Sequence, residues 1–399
     1  MKEVSNILYV SCLCSEPMMH RLFDTALEKP NPAPQKFHTL LVDGLVNKGV
    51  KITNLVSRSV TVASHPDKKW WKKEEEVFEG IRYVYIPFYN SPYLKILGFK
   101  IYAFFFTLLW ILRTRGEKAM VCDVLYPHAS ASMKACKLLG IKAVGIVTDI
   151  PGLMVSQTQK SLLRRLTRKK SIRNIRRMTH LVPLTDAMCD IINPDRKTPY
   201  VVMEGLVDNA MEEKEPIKSA DGKRHITYTG TINARYGVRT LIESFIKLEQ
   251  KDIVLDIYGQ GPMEPEMSTY TSKDSRIIYH GIVPIEEAVL AQRKSFLLVN
   301  PRPTSEEFTK YSFPSKNMEY MVTGVPILTA VLPGMPREYY PNVFLFKDET
   351  IDGLSKRMDE ILKMPIDEVQ ERGIRGKRFV LDNKNNIRQA ERLLELIEK

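Results

Sequence analysis

Short apolar runs alternate with longer amphipathic segments along the first half of the chain. Runs typical of buried strands lie at 7–11, 50–56, 81–86, 120–125, 143–148, 181–183 and 200–203. Segments with helical spacing of apolar residues lie between them, at 36–48, 101–112 and 130–139. Short apolar strands separated by helices are typical of parallel sheets covered on both faces, so this half is predicted to form a Rossmann-like domain.

The same alternation starts again after residue 208. Predicted strands lie at 226–228, 253–258, 277–279, 296–300, 326–328 and 343–346, with helices between them such as 238–247 and 285–292. A chain of 399 residues is also too long for one ordinary core. We therefore predict an α/β fold of two doubly wound parallel-sheet domains facing a cleft. Their expected ranges are 1–205 and 206–399, with the last helix either kept in the second domain or packed back on the first.

The charge is distributed unevenly between the two halves. The net charge is +12, yet residues 1–205 hold 31 Lys and Arg against 17 Asp and Glu, whereas the remainder holds 28 against 30. The basic excess of the first half indicates a polyanionic partner, either an anionic membrane leaflet or a nucleic acid.

Cysteine usage and apolar run lengths bear on the compartment. The five cysteines are scattered through the first half, and Cys12-x-Cys14 has no second pair to complete a metal site. Such usage favours reduced thiols in the cytoplasm.

The longest apolar run, 101–112, is shorter than the roughly 20 residues that span a bilayer. It is predicted to be a buried helix, or at most one half-sunk in a bilayer interface, and no transmembrane segment is expected.

Three consecutive strands of the second half end at glycine. The first is followed by Thr229-Gly230 and later by Arg235 and Gly237, the second by Gly259-Gln260-Gly261-Pro262, and the third by His280-Gly281. In open α/β sheets, ligands bind beyond the carboxyl ends of the strands, and glycine lets the backbone approach an anion closely. These loops therefore predict an anion site.

The segment 311–326 adds charge to that prediction. Pro314 and Ser315 are suited to begin a helix, which places Lys316 and Glu319 on one face. A lysine there complements phosphate, and a carboxylate there can accept hydrogen bonds from ribose hydroxyls. The alternative is an ordinary surface ion pair between the two side chains.

In this order, these elements resemble glycosyltransferase family 4. That family has a glycine after the first strand of the second domain, a Gly-x-Gly-Pro turn, and a helix glutamate followed by Gly-x-Pro. The corresponding residues here are Gly230, Gly259 to Pro262, Gly281, and Glu319 followed by Gly324-Val325-Pro326. Glu204-Gly205-Leu206-Val207-Asp208 resembles the family's hinge between domains. The resemblance is strong in the second half and only topological in the first.

The resemblance implies a GT-B enzyme that transfers a sugar with retention from a nucleoside-diphosphate donor, without a catalytic metal or another cofactor. The donor-binding residues it implies are Gly230, Arg235, Gly237, Gly261, Ser315, Lys316 and Glu319. The family's first glutamate, its arginine and its lysine are replaced here by Tyr311, Thr231 and Tyr236. We hypothesise that Arg235 and Lys316 supply the missing positive charge.

Two residues after strands of the first half are acceptor-site or catalytic candidates. His128 follows the strand at 120–125, and Asp149 takes the place of the aspartate in the family's His-Asp pair. The alternatives are a loop or capping histidine and a turn-capping aspartate.

A basic segment and a tryptophan pair suggest a membrane surface. Residues 160–177 hold nine Lys and Arg and no acid, and lysines flank Trp70-Trp71 on both sides. The predicted membrane contacts are Trp70, Trp71, Arg164, Arg165, Arg168, Lys169 and Lys170. The alternative is a solvated basic helix with the tryptophan pair in the core.

Taken together, these features predict a cytoplasmic enzyme attached peripherally to the inner face of the membrane. Its acceptor would be a lipid-linked or other glycan in capsule or exopolysaccharide synthesis. No nucleic acid is expected as a partner, and the sequence leaves the oligomeric state open. A non-catalytic GT-B partner subunit is the first alternative, because of Tyr311, and a nucleic-acid-binding protein is the second.

Overall fold

The computed structural model describes residues 4–29, 33–153 and 162–399, without the side chains of 33–34 and 162–164. The chain forms two compact units. Unit 1 comprises Met1–Leu206 and Asn386–Lys399, and unit 2 comprises Val207–Asn385. The final helix therefore belongs to unit 1, and residues 207–385 separate it along the chain from the rest of that unit.

Unit 1 is built on a mostly parallel sheet. Its strands are β1 Asn6–Ser11, β2 Lys51–Val56, β3 Trp70–Trp71, β4 Glu74–Phe78, β5 Ile81–Tyr85, β6 Phe88–Tyr89, β7 Lys118–Asp123, β8 Ala143–Val147 and β9 His180–Pro183. Within the described residues, seven of them form one sheet in the order β4-β5-β2-β1-β7-β8-β9. β4 pairs antiparallel to β5, and β3 pairs with β6 in a separate ribbon. The strand predicted at 200–203 contributes only a bridge between Tyr200 and Leu181.

Helices cover both faces of this sheet. They are α1 Glu16–Thr25, α2 Ala33–Asn47, α3 Pro92–Arg113, α4 Pro127–Leu138, α5 Leu162–Ile175 and α6 Cys189–Ile192, joined by the C-terminal helix Asn386–Glu398. The C-terminal helix packs on α2 so closely that a Cβ on Gly44 would lie 2.2 Å from the Asn386 carbonyl oxygen. This contact anchors the end of the chain on unit 1.

Helix α3 is only partly buried, whereas the sequence predicted a buried helix or at most one half-sunk in a bilayer interface. It runs for 22 residues, whereas the uninterrupted apolar run has 12. The helix begins before that run and includes Lys95 and Lys100, which the run excludes. One face packs on α4, where Thr107 donates a hydrogen bond to Ser132 over 2.9 Å. The opposite face is exposed, including Leu97, Ile101 and Phe105. Within the described part of the chain, α3 is the helix whose length and composition would suit a membrane crossing, although a soluble protein's core helix can have the same character.

Unit 2 is a second parallel α/β layer structure. Its strands are β10 Arg224–Thr229, β11 Ile253–Tyr258, β12 Ile277–Gly281, β13 Leu297–Asn300, β14 Ile327–Ala330 and β15 Phe344–Phe346, in the sheet order β12-β11-β10-β13-β14-β15. Its helices are α7 Val238–Ile246, α8 Met267–Lys273, α9 Ile285–Lys294, α10 Ser315–Met321, α11 Ile351–Lys363 and α12 Ile366–Lys384. The C-terminal helix Asn386–Glu398 of unit 1 follows as α13. The order of the strands changes direction between β10 and β13, so loops after both strands meet at one edge.

Candidate functional site

The loop after β10 is shaped by a glycine that lies against a lysine. Gly230 has a φ of +144°, which glycine adopts far more readily than other residues. A Cβ at this position would lie 1.7 Å from the Lys316 Nζ atom. The Gly230 amide donates to the Tyr258 carbonyl at 2.8 Å, which fixes the loop to the end of β11. The sequence therefore places an ammonium group directly against the backbone at the carboxyl end of the central strand.

Lys316 lies on α10 and is largely surrounded by protein. Its Nζ donates to the Tyr228 hydroxyl at 3.1 Å and lies 4.6 Å from the centre of that ring. The pKa of this ammonium is lowered to about 8, mainly by burial; the charge of Glu319 acts in the opposite direction, and that of Arg302 adds to the lowering. Within the described residues, Lys316 forms no ion pair with a carboxylate. The predicted alternative of a surface pair with Glu319 is therefore not what the structure has.

Arg302 is a second cation at the same edge, and the sequence reasoning did not select it. It follows β13, the neighbour of β10, and its guanidinium lies 5.5 Å from the Tyr236 ring and 4.7 Å from the Phe308 ring. Burial lowers the pKa of Arg302, and no carboxylate in the described part of the chain forms an ion pair with it. The signal in the sequence was the run Asn300-Pro301-Arg302-Pro303 at a strand end.

Arg235 lies in a different setting from these two cations. Its side chain is exposed, and its guanidinium donates to the Glu306 carboxylate at 2.6 Å. That hydrogen bond is the largest cause that raises the pKa of Arg235. The positive charge of Arg235 is therefore already matched, so Arg302 is better suited than Arg235 to assist Lys316.

The other predicted donor residues lie around this edge in different roles. Gly237 and Gly261 allow close backbone contacts, because a Cβ would lie 1.9 Å from the Pro301 carbonyl oxygen and 2.4 Å from that of Ile232, respectively. Ser315 is exposed at the first position of α10, and Glu319 is partly buried one turn further on. The glycines thus build the loops, whereas Ser315 and Glu319 can reach a ligand.

The arrangement is suited to an anion that carries more than one charge. Two partly buried cations that form no ion pair with a carboxylate in the described ranges are costly for the protein alone, because burial penalises charge that is not paired. A diphosphate would supply the missing negative charges, and the lack of a side chain at Gly230 lets the Lys316 ammonium lie at the strand end where it can meet them. Cations held in place before the reaction also stabilise the charge that develops on a departing diphosphate.

Unit 1 carries a buried polar chain at the carboxyl ends of its central strands. The Tyr9 hydroxyl lies 2.6 Å from His38 Nδ1, and His38 Nε2 lies 2.9 Å from the Asp123 carboxylate. The other Asp123 oxygen accepts the Leu125 amide at 2.9 Å. All three side chains are almost completely buried. Asp123 thereby fixes the turn that leads from β7 to α4.

The two predicted catalytic candidates of unit 1 differ in access. His128 is fully buried at the start of α4, its Nε2 lies 3.2 Å from the Ser11 carbonyl oxygen, and burial lowers its pKa to about 4. A neutral imidazole enclosed in this way does not contact a ligand at the surface. Asp149 is only partly buried, accepts the Ile150 amide at 2.7 Å, and has a pKa raised by burial. Asp149 therefore stays accessible after β8, and His128 does not.

The predicted membrane contacts are also divided by burial. Trp70 is 55% exposed, but Trp71 is only 4% exposed. The Trp71 ring stacks on Phe88, and the Arg58 guanidinium lies 5.6 Å from the centre of the Trp71 ring. The side chain of Trp71 is therefore part of the core, because alternate residues of β3 face opposite sides. Exposed side chains on α5 include Arg165, Arg168, Lys169 and Lys170, whereas the side chain of Arg164 lies outside the described residues.

A family model matches part of unit 2. Residues 223–364 match the family model Glycosyl transferases group 1, which covers most of unit 2 and all the candidate anion-site residues. No curated protein matches the sequence significantly.

Solved structures resemble the chain over almost its full length. Sucrose-phosphate synthase from Thermosynechococcus elongatus is 13% identical with a TM-score of 0.65, covering 98% of both chains. An alpha,alpha-trehalose-phosphate synthase from Burkholderia xenovorans in complex with glucose-6-phosphate is 10% identical with a TM-score of 0.66, covering 98% of this chain and 100% of that one. A structure described as trehalose-6-phosphate from E. coli, bound with UDP-2-fluoro glucose, is 9% identical with a TM-score of 0.68, covering 99% of both chains. These findings confirm the predicted GT-B fold and support a glycosyltransferase of the GT-B type, while membership of family 4 stays a prediction.

Proposed function

We propose that this GT-B protein is a retaining glycosyltransferase that takes its sugar from a nucleoside-diphosphate donor. The observation that carries the proposal is a pair of cations at the strand ends of unit 2. Lys316 lies against Gly230, Arg302 is near enough to lower the pKa of Lys316, and neither forms an ion pair with a carboxylate of the described residues. In this assignment both cations bind the diphosphate, and Glu319 accepts hydrogen bonds from the ribose hydroxyls. Ser315 adds a hydroxyl donor at the start of α10.

The proposed reaction requires no metal or other cofactor. As the bond between the sugar and the diphosphate breaks, negative charge grows on the leaving phosphate, and Lys316 and Arg302 stabilise it. A phosphate oxygen of the donor accepts the proton of the attacking acceptor hydroxyl. Asp149 is the accessible unit 1 residue that we assign to acceptor binding.

We further propose that the acceptor is a membrane-associated glycan or glycolipid used in cell-surface polysaccharide synthesis. Two features of unit 1 support this assignment: the basic excess of residues 1–205 and the exposed apolar face of α3. The proposed location is the cytoplasmic face of the membrane, with peripheral attachment.

A thermal-shift screen of UDP, GDP, ADP, dTDP and CMP sugars tests the donor assignment. A true donor at 100 times its Kd should add about 2.7 kcal/mol to the free energy of unfolding, so one nucleotide class should stand apart from the rest. If none of the sugars shifts the transition, the assignment fails. Slow hydrolysis of the bound donor, with the anomeric configuration of the released sugar followed by NMR, then separates a retaining enzyme from a non-catalytic GT-B subunit.

Donor binding should weaken as the pH rises through the pKa of Lys316. The ammonium of the free protein has a pKa of about 8 and binds the diphosphate only while it is protonated. The diphosphate diester itself has no proton to lose between pH 7 and 9. Isothermal titration should therefore give a Kd about 10-fold higher at pH 9 than at pH 7.

The variant Lys316→Arg provides the control for this pH effect, because its guanidinium stays charged over the whole range. Its Kd should vary little between pH 7 and 9, whatever its absolute value. A wild-type Kd that is flat up to pH 9 would argue that Lys316 does not contact the donor.

A further inference from the structure

A basic groove in unit 1 is bounded by α3, α4 and α5. It has a volume of about 690 Å³ and contains no Asp or Glu among its lining residues. The cations that line it are Lys100, Lys134, Lys169, Lys170, Arg173 and Arg177. Within the described part of the chain, none of the six forms an ion pair. Burial and the charges of Lys170 and Lys134 lower the pKa of Lys100, so the groove holds positive charge that the protein itself does not balance.

An apolar ridge on α3 adjoins this groove. The exposed side chains Leu94, Leu97, Ile101, Phe105, Leu109 and Leu112 follow one another at intervals of three or four residues, with exposed fractions from 48% to 71%. This spacing places them on one face of the helix. Ile101 and Phe105 line the basic groove on one side and a second groove of about 950 Å³ on the other. Contiguous exposed apolar surface of this kind marks an interaction site in a soluble protein.

We propose that this face is the membrane-docking surface of the protein and that the basic groove binds the phosphates of anionic lipids. In this assignment α3 lies in the plane of the bilayer interface, with its ridge among the acyl chains and the groove cations at the level of the headgroups. The inference rests on the membrane-associated acceptor proposed above and adds the surface and the lipid chemistry.

The geometry favours an anionic membrane over the other occupants. A nucleic acid would account for the six cations but not for the adjoining ridge of aliphatic and aromatic side chains. A membrane crossing by α3 would remove its other face from the core, where Phe99, Ala103 and Thr107 are buried. Interfacial docking uses both the charge and the ridge while leaving that packing intact.

Two variants test the charged and apolar parts of the surface separately. Lys170→Ala/Arg173→Ala removes two exposed groove cations, and Ile101→Ser shortens the ridge. Binding would be measured by co-sedimentation of the full chain with vesicles of equimolar phosphatidylglycerol and phosphatidylcholine. Because one cation near an anionic surface changes partitioning about 5-fold, the double variant should lose about 25-fold in the partition coefficient. Ile101→Ser should lose binding to the same vesicles by several-fold, with less dependence on salt.

Each variant has a matched control away from the groove. Arg239→Ala/Lys363→Ala removes the same net charge from side chains already paired with Glu266 and Asp359. Ile285→Ser makes the same apolar change at a residue that is 74% exposed in unit 2. Both controls should partition like the wild type.

Several outcomes would overturn the inference. The first is that the wild type binds anionic and pure phosphatidylcholine vesicles equally well. The second is that the variants and their controls lose the same amount of binding. The third is that the protein binds duplex DNA but no vesicles, and that the groove variant abolishes the DNA binding. Donor binding distinguishes the two proposals. A wild type that binds a nucleotide sugar but no anionic vesicles contradicts the docking surface and the peripheral attachment on which it rests, but not the donor assignment. A wild type that binds vesicles but no nucleotide sugar contradicts only the donor assignment.

Discussion

Lys316→Met is expected to lower kcat with the correct donor by about 100- to 1000-fold, the usual effect of removing one fixed group that stabilises transition-state charge. The methionine keeps much of the volume of the lysine side chain beside Gly230 and Tyr228 but cannot donate to a phosphate oxygen. Steady-state kinetics with the donor found in the screen would measure the loss. The Kd for the donor should rise as well, because the diphosphate of the intact donor is already an anion before the reaction.

The same substitution should change stability in the opposite direction. The ammonium of Lys316 is disfavoured by burial and by Arg302, so an uncharged side chain should raise the free energy of unfolding by about 1 kcal/mol. Opposite effects on activity and stability distinguish a ligand-binding charge from one that holds the fold together. Urea unfolding of the ligand-free protein would measure this second effect.

Arg235→Met is the matched control, because Arg235 is exposed and already paired with Glu306. It should change kcat by less than about 10-fold and leave stability nearly unchanged. A result in which Arg235→Met is as damaging as Lys316→Met would restore the original hypothesis that Arg235 supplies the missing charge. A Lys316→Met variant with wild-type kinetics would remove Lys316 from the site.

The sequence was sufficient for the architecture and for selecting part of the candidate site, because these depend on local patterns. Alternating apolar strands and helices predict two parallel-sheet units without knowledge of any contact. Gly230 and Lys316 were predicted because each lies at the end of a strand or the start of a helix, positions that a motif marks.

Arg302 could not be selected in the same way, because its role depends on distant side chains. Tyr236 and Phe308 lie 66 and 6 residues from it along the chain and surround its guanidinium only after folding. Arg235 looked equally suitable in the sequence, since its partner Glu306 is 71 residues away. Which cation is matched and which is left for a ligand is therefore a property of the tertiary structure.

Burial on one face of an element was the other feature that the sequence left undecided. In α3 almost every position is apolar between Ile101 and Leu112, so helical periodicity does not show which side is covered. In the Trp70-Trp71 pair both residues have the same character, and only the pairing of β3 with β6 decides that Trp71 faces inward. For this reason Trp71 no longer serves as a proposed membrane contact, whereas the basic segment is kept and the exposed face of α3 is added.

Asp123→Ala is expected to lower the free energy of unfolding of unit 1 by about 3 to 5 kcal/mol, the largest effect on stability that we predict. The change removes the acceptor for His38 Nε2 and for the Leu125 amide, which leaves the imidazole buried without this partner and the partly buried amide without its acceptor. Asp123→Asn keeps an oxygen for one of these bonds and should cost about 1 to 3 kcal/mol. Urea unfolding followed by tryptophan fluorescence would report on unit 1, because Trp70, Trp71 and Trp110 all belong to it.

Asp149→Ala is the matched control at the end of the neighbouring strand. Asp149 is partly exposed, makes one local hydrogen bond, and has a pKa raised by burial, so its loss should cost less than about 1 kcal/mol. His38→Phe, which removes the buried donor and keeps a ring, should make the further removal of Asp123 less costly than it is in the wild type, since the two side chains act as one unit. Additive costs in this double-mutant cycle would mean that Asp123 stabilises only the turn at Leu125, and the polar chain from Tyr9 would then be a consequence of packing rather than a source of stability.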